Sequence, residues 1–368
     1  MKNILYIGKY NGIIGGIERY MQYSARLLRN NGFTVNFLYT EEGGRDQAAF
    51  AAAFDQVREF SFSDDLLQQA DSDELLQQAD LVILHNIIDV KFLQYLPAGK
   101  TFFFAHDHNI YCQRHHYYMP IGRINCHRAY NKYICKLCSL GRNPAPPLAE
   151  YRQMPALVLS DFMRDNLLKN GFEKVVKLPA FIKTAKSERV FMPEGILRIL
   201  FLGQLIRGKG ADLMLKTLAK LDIPFSCTIA GDGKDRAMLE KMVEKFKIGD
   251  KVHFAGFVSE PEKLWANCDV FFFPIRWQEP FGLVALEAMA HGVPVVAFDL
   301  GGVREHLTKA CGSLVPAKNT SFAAECLTDF YQTPELLKSA GESGLFLAEN
   351  NHSEEKFIKK FNELCEAL

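Results

Sequence analysis

Glu279 and Glu287 lie eight positions apart in the stretch EPFGLVALE, and between them Pro280 and Gly282 interrupt the chain just ahead of an apolar run with helical spacing. Carboxylates accept hydrogen bonds from sugar hydroxyls. The amides of Gly282, Leu283 and Val284, which follow Phe281, would leave a helix N-terminus unsatisfied, where the backbone dipole also favours negative charge. A phosphate between two sugars, each held by a glutamate, fits that order. A loop glutamate and a helical glutamate also arise without any ligand, the latter through dipole compensation.

Further upstream, FLGQLIRGKG ends a strand at Gly203 and carries Arg207 and Lys209 into another helix start. Two cations at such a place suit a diphosphate, or form a solvated basic turn. Gly231 in AGDG and Gly256 in FAGF close two more strands and permit close backbone approach by a ligand, although turns use glycine constantly. In the first half, Gly15 and Gly16 precede a helix and could approach a phosphate, while Glu18 reads as dipole compensation. His106, in FFFAHDHN, falls at a strand's carboxyl end, where a histidine can hydrogen-bond a sugar.

These residues need a scaffold that gathers strand ends. KNILYIG, FTVNFLYT, ADLVILHN and KTFFFAHD are unbroken apolar runs of the kind buried on both faces of a parallel sheet. After a charged, aperiodic stretch at 181–195 the alternation restarts with LRILFLG, FSCTIAG, KVHFAG, DVFFFPI and VPVVAF, separated by helical patterns. The fold class is α/β, with two Rossmann-like, doubly wound parallel-sheet domains facing a cleft, over 1–183 and 184–351. The tandem copies SDDLLQQAD and SDELLQQAD at 63–80 only lengthen a connector.

Residues 196–307 resemble retaining, nucleotide-sugar-dependent glycosyltransferases of family 4, whose fold is GT-B: strand-Gly, the Lys209-Gly210 pair, AGDG, FAGF, the E-x7-E pair, and Gly301-Gly302 with Glu305. The resemblance in the first half is looser, through GGIERY and HD. It implies that Lys209 and Arg207 grip a diphosphate with the amides after Phe281. Glu287 would then hold the nucleotide ribose, Glu279 the donor sugar and His106 the transferring sugar. Many relatives have Gly-Arg where this chain has Gly203-Gln204, so Arg207 is assigned the missing cation. The implied substrates are a nucleotide sugar, with UDP favoured, and a glycan or lipid-linked acceptor in polysaccharide or glycolipid synthesis, with no catalytic metal. The last helix, within 352–368, is expected to pack back on the first domain.

Cys112, Cys126, Cys135 and Cys138 end in a C-x2-C pair, which suits either a structural zinc site or ordinary thiols. From 100 to 146 seven Lys or Arg face one Asp, with five tyrosines interleaved, a composition fit for an anionic membrane face, a lipid diphosphate or a metal-stapled loop. Overall, 43 basic and 43 acidic residues give a formal net charge of zero, and no nucleic-acid partner is expected. The first apolar run is too short for a signal-peptide core, so the expectation is a cytoplasmic protein, at the inner membrane face if the basic stretch acts there. Two other readings stand beside transfer: a catalytically silent sugar-nucleotide sensor, and a dinucleotide-dependent oxidoreductase, whose glycine spacing KYNGIIGG fits poorly.

Overall fold

The computed structural model describes residues 2–60, 73–119, 124–141, 143–184 and 191–367. The first copy of the nine-residue repeat lies outside them, as does the middle of the charged stretch at 185–190. The chain divides into two compact units, Met1–Pro179 with Glu354–Leu368, and Ala180–Ser353.

The strands of the first unit are β1 (Asn3–Tyr10), β2 (Thr34–Glu41), β3 (Val57–Glu59), β4 (Leu81–Leu84), β5 (Thr101–Phe104), the short β6 (Tyr118–Met119) and β7 (Ile124–Asn125), β8 (Ala156–Val158) and β9 (Val175–Lys177). Seven of them form a parallel sheet in the order β3-β2-β1-β4-β5-β8-β9, and β6 and β7 pair as a separate antiparallel ribbon. Five consecutive residues of β1 are buried, so both faces of the strand are covered, as its unbroken apolar run requires. Register is set across β1 by Ile4 opposite Val35 on one side and Leu81 on the other.

The second unit holds β10 (Leu197–Leu202), β11 (Phe225–Ala230), β12 (Val252–Gly256), β13 (Val270–Phe273), β14 (Val295–Phe298) and β15 (Gly312–Val315). They form one parallel sheet ordered β12-β11-β10-β13-β14-β15. The expected α/β class with two doubly wound parallel sheets is what the molecule has. In each sheet the strand order reverses once from a central strand, at β1/β4 and at β10/β13, and ligands of open α/β sheets sit beyond the carboxyl ends at such points.

Among the described residues the helices of eight or more residues are α1 (Gly16–Asn30), α2 (Asp161–Lys169), α3 (Ala211–Leu218), α4 (Arg236–Phe246), α5 (Leu283–Ala290), α6 (Thr320–Gln332), α7 (Pro334–Asn351) and α8 (Glu354–Glu366). The last, α8, is strongly amphipathic and buries Phe357 and Phe361. The Phe361 ring meets Phe33 edge to face at 5.6 Å, and Lys2 donates to the Cys365 carbonyl, so α8 completes the core of the first unit. Within the second unit, Ile182 donates to the His352 carbonyl at 3.0 Å where the chain enters and leaves. No helix among the described residues is long and apolar enough to cross a membrane.

Candidate functional site

The two strands astride the switch point of the second sheet deliver its loops side by side. After β10 the chain passes Gly203 and makes a single turn at Arg207–Lys209 before α3. After β13 it runs through Trp277 and Glu279 to Gly282, which caps α5. Lys209 Nζ lies 3.1 Å from Glu279 Oε2, a half-buried ion pair between residues 70 positions apart. An ammonium and a carboxylate from separate loops thus share one place at the head of a helix.

The backbone around Glu279 is held on the far side as well. Gly302 donates to the Glu279 carbonyl at 2.8 Å, and a Cβ at Gly301, where φ is +69°, would fall 2.1 Å from that same oxygen. At Gly282 φ is +93°, a conformation that a residue with a side chain adopts only under strain, and it turns the chain directly into α5. Along α5 the residues left incompletely buried are Leu283, Val284 and Glu287, spaced to share one face of the helix. The side chain of the second glutamate therefore shares a stripe with the two residues that open the helix. Phe281 itself is buried against His306 with ring centroids 4.5 Å apart, so its side chain is core and only its backbone is placed to serve a ligand.

Two residues missed in the sequence complete this arrangement, Arg276 and Trp277. Arg276 donates to both Asp212 carboxylate oxygens at 2.9 and 2.7 Å, and its guanidinium also donates to the Arg207 carbonyl. Its backbone amide donates to the Gly208 carbonyl at 2.8 Å, so Arg276 ties the whole 207–209 turn to the end of β13. Trp277 lies against Gly208, close enough that a Cβ there would meet the indole. The Arg207 side chain is exposed, unlike Lys209. Gly203 donates to the Ala230 carbonyl at 3.0 Å and Gly231 to the Gly256 carbonyl at 2.6 Å, so the three predicted glycines close neighbouring strand ends.

In the first unit, Gly15 stands just before α1 with its amide already donated to the Glu18 carboxylate at 2.9 Å, and burial raises the pKa of that carboxyl. Glu18 is a capping residue. His106, beyond β5, sits 2.8 Å through Nε2 from Nδ1 of His85, the third missed residue, which follows β4. Burial lowers His106 to about 3 and His85 well below the usual imidazole range, so both rings are neutral near pH 7. His106 can therefore donate or accept a hydrogen bond but supplies no proton. Which nitrogen carries its hydrogen is set by the neighbour.

Cys112, Cys126, Cys135 and Cys138 do line one cavity of about 160 Å³, together with Tyr111, Tyr117 and Ile134. Yet among the described residues no group of three or more His, Cys, Asp or Glu has the geometry to hold a metal ion. The four thiols line a mostly apolar wall, and burial pushes those of Cys112 and Cys138 up. Cys227, Cys268, Cys311, Cys326 and Cys365 are buried core thiols.

Comparison with known proteins agrees with this architecture. The Anabaena protein Alr3699/HepE, crystallised with UDP, superposes with a TM-score of 0.76 over 100% of both chains at 16% identity. The fold is GT-B. Residues 183–345, which contain Lys209, Glu279 and Glu287, match the family model for glycosyl transferases group 1. A D-inositol 3-phosphate glycosyltransferase from Pseudarthrobacter chlorophenolicus is 31% identical over 202 residues, 52% of this chain and 48% of that protein. The O-antigen biosynthesis glycosyltransferase WclY of Escherichia coli is 33% identical over 124 residues, 34% of each chain. The chain thus spans less than half the length of these curated relatives.

Proposed function

We propose that this protein is a retaining glycosyltransferase of family 4 that moves a sugar from a nucleotide diphosphate sugar to a hydroxyl of a glycan or lipid-linked acceptor. The observation that carries this reading is the Lys209–Glu279 pair at 3.1 Å beside the N-terminus of α5, which no side chain caps, at the switch point of the second sheet. An ammonium and helix amides suit the diphosphate, whose negative charge grows as the glycosidic bond breaks. Glu279 then takes hydroxyls of the donor sugar and Glu287, on the same stripe as Leu283 and Val284, takes the ribose. Arg207 adds a second cation at the rim. His106, neutral and ordered by His85, offers a hydrogen bond to the transferring sugar. The UDP held by the Anabaena neighbour supports a uridine donor, and the O-antigen role of the E. coli relative supports a cell-surface polysaccharide product.

The test is incubation of the full chain with UDP-, GDP- and ADP-sugars, following release of the nucleoside diphosphate and the anomeric configuration of the product by NMR. Retention with one preferred donor is the expected result. Tight donor binding with neither hydrolysis nor transfer would leave a sensor instead. Because the leaving-group charge is assigned to protein cations, turnover is expected to be unchanged when EDTA replaces added divalent ions. Arg276→Ala should weaken UDP binding about tenfold in a calorimetric titration, since the turn bearing Lys209 loses hydrogen bonds together worth about 1.4 kcal/mol.

A further inference from the structure

The helix Lys132–Cys138 buries none of its residues, yet its sequence is not that of a solvated helix. Tyr133 is 81% exposed and Leu137 71%, and Ile134 and Leu140 are also exposed. Together with Ile124 these make five of the thirteen large apolar side chains most exposed among the described residues, gathered within 17 positions. Scattered single exposed hydrophobes need no explanation, whereas a cluster of this density does. Tyr133 and Leu137, with Leu140 just beyond the helix end, fall at i, i+4 and i+7, whereas the other flank places Ile134, Cys135 and Cys138 along the small thiol-lined cavity. The helix is thus seated on the protein by small thiols and presents its bulkiest apolar residues outward.

Charge identifies the partner. Residues 108–149 contain six Lys or Arg and no Asp or Glu, in a chain whose net charge is zero. Two of the six, Lys132 and Lys136, are exposed on the helix beside the apolar group. Apolar side chains flanked by ammonium groups, with no acid within the segment, complement a surface that is negatively charged at its face and hydrocarbon beneath. A protein partner with a matching acidic groove would satisfy the charges alone but would not account for a tyrosine and leucines standing so far from their own core.

We propose that the helix Lys132–Cys138 and the turn through Leu140 rest on an anionic lipid bilayer, with Tyr133, Leu137 and Leu140 entering the headgroup boundary and Lys132 and Lys136 lying among the lipid phosphates. The surface belongs to the first unit and does not depend on what the second unit binds.

Co-sedimentation of the full chain with extruded vesicles tests this, comparing phosphatidylcholine alone with an equimolar mixture of phosphatidylcholine and phosphatidylglycerol. Binding to the mixed vesicles at low salt and little to the neutral ones is expected. Lys132→Glu with Lys136→Glu should lower the partition coefficient more than tenfold, on the order of fivefold for each cation. Tyr133→Ser with Leu137→Ser should lower it comparably, including at higher salt where the charges are screened. All four positions are exposed, and circular dichroism should show the variants folded. No partition into the anionic vesicles, or partition unchanged in either double variant, overturns the proposal. So does concentration-dependent self-association that Tyr133→Ser with Leu137→Ser abolishes while vesicle binding persists, which would make the patch a contact between copies.

Discussion

Lys209→Ala is expected to reduce sugar transfer by about two to three orders of magnitude, the scale seen when one preorganised donor to a developing anion is removed. The loss should exceed what the missing ammonium alone predicts. In the protein Lys209 neutralises Glu279 at 3.1 Å, so the truncation leaves an unpaired, half-buried carboxylate beside the place assigned to the diphosphate. Donor affinity and turnover should therefore fall together, with both Kd for UDP and kcat affected. Glu279→Gln keeps the hydrogen-bonding shape and removes the charge; it should bind UDP at least as well as the parent while turning over more slowly. If Lys209→Ala changed neither parameter, the cation would not contact the donor.

Asp269→Ala is expected to lower the melting temperature of the second unit by roughly 6–12 °C, corresponding to a loss of about 3 kcal/mol in a domain of this size. Asp269 is completely buried and accepts from the Met192 and Arg198 amides at 2.9 and 2.8 Å and from the Arg198 guanidinium at 3.0 and 2.7 Å. It pins the start of β10 to the start of β13, the two strands whose far ends carry Lys209 and Glu279. Removing it leaves the partly buried Arg198 guanidinium and two amides without their acceptor. Because the strain enters at the opposite end of the strands, scanning calorimetry should register the change far more strongly than the Kd for UDP. An unchanged melting temperature would refute this account of what joins the central strands.

How far the sequence announced all this depended on the range of each interaction. Strand and helix alternation is local, and β1, β2, β4, β5 and β10 to β14 fall where the apolar runs stand. The role of Gly282 as a helix start was equally legible, because a Pro and a Gly just ahead of an apolar periodic run have few other uses. What was not legible came from pairings across many residues. Arg276 reads as an ordinary charge after a strand until the order β10-β13 sets it against Asp212, and His85 reads as the end of an apolar run until β4 and β5 pair and bring it to His106. The Lys209–Glu279 contact likewise follows from the order of strands, which no local pattern encodes. The four cysteines come to one cavity only through the fold of the segment that carries them, which their spacing does not set.

The central claim is that a nucleoside diphosphate sits against the head of α5 with Lys209 on its phosphates. A crystal structure of the protein with UDP examines it most directly. The account predicts diphosphate oxygens within hydrogen-bond reach of Lys209 Nζ and of the amides of Leu283 and Val284, and the ribose hydroxyls on Glu287. UDP lodged elsewhere, with Lys209 still paired to Glu279 and the face of Leu283, Val284 and Glu287 untouched, would contradict it.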